Sequence, residues 1–254
     1  MEREEAVRLI NQQSWKHSFE ILPGVITPGA WDYLDVGKFF DTHYNLPSDL
    51  RGVRALDIGA LDGVYTFELE RRGAAVTALD IQSPDVSGFG LARRILGSKA
   101  DYVQGSVYHL SQLLPKREFD LICFFGVWYH LRNPVGAFEE IAKVLSDDGT
   151  LLLEGECLVD YAEIPGKNPA ELRDFVRQLA SSDLAISLYY PDQCKGDYWT
   201  WYVPNLASIR AWCKTAGLEL LSHSFWSAPP HFQRLQGTAK KNKGLACIVE
   251  NPVW

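Results

Sequence analysis

Asp57, Gly59, Gly63 and Asp80 are spaced as a ligand-binding turn requires. Asp57 ends the apolar run 53–56, the two glycines follow in a small-residue turn, and Asp80 ends a second apolar run, 75–79. A glycine has no Cβ, so backbone at Gly59 and Gly63 can approach a ligand closely. A helix opening near Val64 offers unpaired N–H groups to an anionic group. An acid about 20 residues past the first glycine can accept both hydroxyls of a ribose. This chemistry suits a nucleoside cofactor. A dinucleotide fingerprint would also need glycine at 61 and 64, where the chain has Leu61 and Val64. A pyrophosphate is therefore not expected.

The elements that must hold this turn can be read from periodicity. From residue 53 onward, β-prone runs alternate with helical ones. Strands are expected at 53–57, 75–80, 101–103, 119–125 and 150–159, and helices at 64–72 and 134–145. Such βαβ units imply a mostly parallel sheet with helices on both faces. Residues 160–204 interrupt the alternation, with a helix at 169–182, and read as an insertion after strand five. A helix at 206–216 follows, with Asn205 as N-cap and Gly217 as its stop. Two further β-prone runs, 218–225 and 245–250, joined by a long loop, predict a closing antiparallel hairpin. The expected fold is α/β and Rossmann-like, with seven strands. Residues 1–49 hold a charged helix at 2–13, two Pro-Gly steps and a weak helix at 33–46. They are read as an N-terminal cap on a domain spanning 50–254.

The pattern Asp57-x-Gly59-x-x-x-Gly63 on strand, turn and helix, followed by Asp80, resembles the class I S-adenosylmethionine (SAM) methyltransferases over about residues 50–251. That family usually has glycine where Leu61 stands. The resemblance implies that Asp57 and the backbone of Gly59, Ala60, Leu61 and Gly63 hold the methionine end of SAM, and that Asp80 holds its ribose. It also implies that Ile81 packs on the adenine and that Ser106 and Val107 edge it; Gly126, at the carboxyl end of the fourth strand, is read as a further cofactor-binding residue. The cofactor would leave as S-adenosylhomocysteine (SAH).

Residues 126–134, GVWYHLRNP, and 197–220 are similar to a branch of that family, the tRNA wobble-uridine methyl- and carboxymethyltransferases. The branch implies that Tyr129 contacts the transferable group. His130 is a candidate general base, since imidazole titrates near neutral pH. A bond from its ring to backbone is the competing reading. His17 and His43, in the cap, are read as surface residues. Glu154 and Glu156 are expected to diverge, one toward the site and one into packing or solvent. No metal site is expected. Tyr198, Trp199, Trp201 and Tyr202 are the candidate substrate-binding set, because such rings pair a large apolar face with a polar handle. Packing beneath the insertion is the alternative for this cluster. The carboxymethyl enzymes need basic residues for the extra carboxylate. None is placed here, so plain methyl transfer is preferred.

Composition sets the remaining bounds. The chain has 254 residues and a formal net charge of −7, which argues against broad capture of nucleic acid. The pairs Arg71-Arg72 and Arg93-Arg94 and the cluster Lys240, Lys241 and Lys243 read as solvated faces. Five scattered cysteines without a C-x-x-C, an acidic N-terminus and no long apolar run point to reduced thiols in a cytoplasmic, non-membrane protein. The expected activity is methyl transfer from SAM to oxygen or nitrogen of a small organic acceptor. The alternatives are a tRNA wobble-base modifier and a non-catalytic SAM-binding subunit.

Overall fold

The runs read as strands assemble into one seven-stranded sheet. In the computed structural model, which describes residues 1–115, 118–164, 166–191, 194, 196, 199–228 and 232–244, its strands are β1 (Arg54–Ile58), β2 (Ala75–Asp80), β3 (Asp101–Gln104), β4 (Phe119–Phe125), β5 (Leu145–Glu156), β6 (Leu218–Ala228) and β7 (Phe232–Lys241). Their order is β6-β7-β5-β4-β1-β2-β3. β1, β2 and β3 are parallel neighbours. β7 runs antiparallel to both β5 and β6. The expected mostly parallel sheet with a closing hairpin is what forms. Only the first residue of β1 and of β2 is exposed, as parallel strands covered on both faces require.

Contacts divide the chain into two compact units, Met1–Cys123 and Phe124–Trp254. In the first, the helices Arg3–Gln12 and Val36–Tyr44 and four short strands precede β1. Arg72 ties this segment down. Its side chain is 3% exposed and donates to Glu68 at 2.7 Å, Asp41 at 2.8 Å, and the carbonyls of Gly37 at 2.9 Å and Leu46 at 3.0 Å. The expectation of a solvated Arg71-Arg72 pair thus fails at Arg72. On a helix, i and i+4 share a face, so Glu68 draws Arg72 inward, while Arg71 reaches the same acid from outside.

In the second unit, three asparagines start three helices. Asn133, Asn168 and Asn205 each accept an N–H from the first turn of Pro134–Val144, Pro169–Ala180 and Leu206–Thr215. The insertion has its own small core of Leu158, Ala162, Val176, Cys194 and Val203, with Tyr190 packed against it. β5 begins at Leu145, so residues 146–149, between the expected helix 134–145 and strand 150–159, lie in the strand. Phe232–Lys241, read as part of a loop, is β7, paired with β6 from Leu218↔Lys241 to Ala228↔Phe232. Its alternation is masked in sequence by Gln233, Arg234 and Gln236, polar residues that are buried or half-buried here. The expected strand 245–250 lies outside the described residues.

Asn205 is fully buried and joins several segments. Its Oδ1 accepts from Ser208 at 2.9 Å and Ile186 at 3.1 Å, and its Nδ2 donates to the carbonyls of Leu184 and Leu179 at 2.9 and 3.0 Å. Removing it strands several buried polar groups, each costing about 1–3 kcal/mol. Asn205→Ala should lower stability to urea by about 2–4 kcal/mol. A loss below about 0.5 kcal/mol would show that this hub contributes little.

Candidate active site

The turn after β1 is built around buried carboxylates. Asp57 is 1% exposed and accepts the Thr66 hydroxyl at 2.6 Å. Burial, its largest influence, raises its pKa from 3.8 to about 6; nearby Asp80 adds to this and the Thr66 bond opposes it. Gly59 and Gly63 have φ of +78° and +92°, the left-handed region open to glycine. A Cβ on Gly63 would stand 2.4 Å from the Phe67 ring. Leu61 also lies in that region, at φ +51°, a conformation that costs about 1–2 kcal/mol for a side-chain-bearing residue. Its amide N–H donates to Asp80 Oδ2 at 2.9 Å, and a bond to a charged acceptor is worth about 1.5–3 kcal/mol. That bond offsets the strain at the place where the resembling family has glycine.

Asp80 is 6% exposed, and its other oxygen accepts the Gln82 amide at 2.9 Å. Each carboxylate oxygen keeps a second lone pair for a further donor. Ile81 beside it is 71% exposed. Ser106 accepts the Tyr108 amide and starts a short helical turn in which Val107 is buried, so Val107 has only backbone to offer a ligand. Asp57, Gly59, Ala60, Leu61, Gly63, Asp80, Ile81, Ser106 and Val107 all lie at or just past the carboxyl ends of β1, β2 and β3, where ligands bind in such sheets.

In the second unit, Gly126 follows β4 and donates to the Glu154 carbonyl at 2.8 Å. Trp128 is fully buried, its indole N–H bonded to the Glu156 carbonyl at 2.8 Å. The indole lies against Gly155, where a Cβ would come within 2.6 Å of it. This fixes the turn Trp128–His130 and with it Tyr129. The Tyr129 hydroxyl accepts from Arg234 at 2.9 Å, and the guanidinium lies 4.9 Å from its ring centre. Arg234 also donates twice to Glu154, at 2.6 and 2.7 Å, with Glu156 at 3.9 Å. Both acids therefore face one guanidinium. The expectation that they diverge is corrected, because residues two apart on a strand share a face. Burial opposes the charge on Arg234, but Glu154 and Tyr129 outweigh it and raise its pKa. Burial raises the Tyr129 phenol, and Arg234 reverses part of that rise. Sequence reasoning missed Arg234. Its only signal was a lone arginine in a run read as loop.

His130 Nδ1 lies 3.0 Å from the Trp199 carbonyl, so that nitrogen is a donor to backbone. Trp201 donates its amide to the Tyr129 carbonyl at 2.7 Å. Trp201 and Tyr202, with Tyr189 and Arg132, line a cavity of about 310 Å³. The Arg132 guanidinium lies 4.7 Å from the Trp201 ring centre. Trp199 is 71% exposed and does not line that cavity. Tyr198 lies outside the described residues.

The buried charge on Asp57 has a stability consequence. An acid whose pKa is higher folded than unfolded binds protons more tightly in the native state, so stability falls as pH rises from about 4 to about 6. Above that window the cost is about 3 kcal/mol. Asp57→Asn keeps the Thr66 bond and should stabilise the protein by up to about 3 kcal/mol at pH 7.5. It should give almost no gain at pH 3.5. Urea titrations at the two pH values check this, and an equal effect at both would remove Asp57 as the cause.

Comparison with known proteins bears on the whole assembly. Residues 56–153 match the family model described as a methyltransferase domain. The ubiquinone biosynthesis O-methyltransferase of Nitrosococcus oceani is 28% identical over 173 residues, covering 68% of this chain and 66% of that protein. The tRNA U34 carboxymethyltransferase of Ectopseudomonas mendocina is 25% identical over 180 residues, covering 67% of this chain but 46% of that protein. The chain thus spans less than half the length of that tRNA-modifying relative. The N-terminal domain of EvdMO1, crystallised with SAH and D-fucose, superposes with a TM-score of 0.64 at 17% identity, covering 96% of this chain and 98% of that one. These matches show a methyltransferase domain over residues 56–153, and the seven-stranded sheet shares its fold with that SAH-bound domain.

Proposed function

We propose that the chain transfers a methyl group from SAM to oxygen or nitrogen of a small organic acceptor. The observation that carries this is the turn after β1 with Asp80 beside it. Glycines at positive φ leave the turn without side-chain cover, and a buried carboxylate with spare lone pairs stands at the end of β2. These residues fit SAM. Asp57 and the backbone of 59–63 would hold the methionine end, Asp80 the ribose hydroxyls, and Ile81, Ser106 and Val107 the adenine. Residues 1–49 act as a cap in this reading. When bound, the cofactor supplies a methyl group activated by a positively charged sulfur. The protein then has mainly to align and desolvate, and alignment can lower a barrier by about 7–11 kcal/mol.

On the acceptor side we assign Tyr129 and His130 to contact with the reacting groups, and Tyr198, Trp199, Trp201 and Tyr202 to the acceptor. Two acids face the single guanidinium of Arg234, so the cluster around Tyr129 carries a negative formal charge. That favours a plain methyl donor over one bearing an extra carboxylate. Buried thiols at Cys123, Cys157, Cys194 and Cys213 support a cytoplasmic setting. No helix among the described residues is long and apolar enough to cross a membrane.

Asp80→Ala removes the acceptor for both ribose hydroxyls. SAH affinity should fall at least tenfold by calorimetry, since each charged bond contributes about 1.5–3 kcal/mol. An unchanged affinity would reject the ribose assignment.

A second reading, modification of a tRNA wobble base, is favoured by the tRNA-modifying relatives and by Arg132 stacked beside Trp201. It requires tRNA retention that drops steeply between about 50 and 200 mM salt. Filter binding that finds no retention at the low end dismisses it.

A further inference from the structure

His17 and Asp62 form a pair that the reading above does not use. Asp62 sits between Leu61 and Gly63, in the turn assigned to the cofactor, and is fully buried. Its Oδ2 accepts the backbone N–H of Lys16 at 3.0 Å and of His17 at 2.8 Å, and its Oδ1 meets His17 Nδ1 at 2.5 Å. The imidazole is 14% exposed. Tyr33 stands edge-on to it at 4.7 Å, with Tyr65 at 6.4 Å. His17 is therefore not the surface residue expected from sequence. His43, by contrast, is exposed.

This geometry fixes the ring chemistry. A carboxylate that already accepts two amide protons takes the Nδ1 proton as a third, so Nδ1 is the donor. In the neutral ring Nε2 then carries the lone pair. Among the described residues Nε2 has no hydrogen-bond partner. No buried side-chain nitrogen or oxygen there lacks one, so Nε2 is open to solvent. The result is an imidazole locked in one tautomer by a buried acid, with its basic nitrogen outward. That is the orientation a base needs.

We infer that His17 is a general base for a neutral hydroxyl acceptor and that Asp62 is its positioning residue. The inference rests on the SAM reading of the same turn and narrows it to oxygen methylation of a phenol or alcohol. His17 Nε2 takes the hydroxyl proton as the oxygen–methyl bond forms and the methyl–sulfur bond breaks, with that bond's electron pair staying on sulfur. The imidazolium so formed lies against Asp62, and a positive charge on the ring also favours ionised Asp57. An amine acceptor with a free lone pair needs no such base.

Two measurements test this. NMR of ¹⁵N-histidine-labelled protein at pH 8 should show His17 as the Nδ1–H tautomer, and Asp62→Asn should abolish that preference. In the second, SAM is offered with catechol and with 4-nitrocatechol, whose more acidic hydroxyl is already ionised at that pH. His17→Gln should bind SAH within about threefold of the parent, yet methylate catechol about 100-fold more slowly or worse. Its defect toward 4-nitrocatechol should be several-fold smaller. An Nε2–H tautomer in the parent overturns the inference, as does near-parental catechol turnover by His17→Gln. Should neither phenol be methylated by the parent, the tautomer result decides. Failure of the parent to bind SAH rejects the cofactor reading instead, whatever the tautomer.

Discussion

Desolvated carboxylate is the constraint on which the first unit depends. Asp57, Asp62 and Asp80 are buried within one strand–turn–helix–strand stretch, and each must find donors or bear a heavy cost. Each finds different ones. Asp57 takes a hydroxyl from the helix that follows the turn. Asp62 takes two amides and an imidazole from the N-terminal segment. Asp80 takes two amides, one from the turn itself. The path of the turn is thereby fixed from three sides. Leu61 is held at positive φ because its amide is needed by Asp80, and Gly63 must be glycine because no Cβ fits beside Phe67.

The same requirement organises the second unit with the signs exchanged. There a half-buried guanidinium is held by two acids on one face of β5. Because Arg234 can only donate, the Tyr129 hydroxyl accepts from it and keeps its own proton to offer elsewhere. Packing supplies the remaining precision. The Trp128 indole rests on Gly155 and bonds the next carbonyl, so the short turn carrying Tyr129 and His130 is set by strand β5 rather than by its own sequence.

The segment before β1 illustrates how polar contacts divide between structure and chemistry. Arg72 gathers two acids and several carbonyls, with each of its three nitrogens engaged, and its role is to hold the helix Val36–Tyr44 in place. His17 is anchored through one nitrogen only. A side chain with every polar atom committed serves the fold, whereas one with a polar atom held outward is available to a reactant.

Local order was legible in the sequence. Strands β1 to β4, the helices begun by Asn133, Asn168 and Asn205, and the Asp57–Gly63 turn with Asp80 all follow from apolar runs, caps and glycines, which act over a few residues and leave a pattern along the chain. Three features came only from tertiary structure. β7 was hidden because buried Gln233 and Gln236 and half-buried Arg234 break its alternation, and only its neighbours make their burial affordable. The meeting of Arg234 with Tyr129 and Glu154 spans 105 and 80 residues, and that of His17 with Asp62 spans 45. Sequence dictates which residues can ionise. Which of them lose their water, and which partner each then must find, depends on distant segments packing together, and no local pattern encodes that.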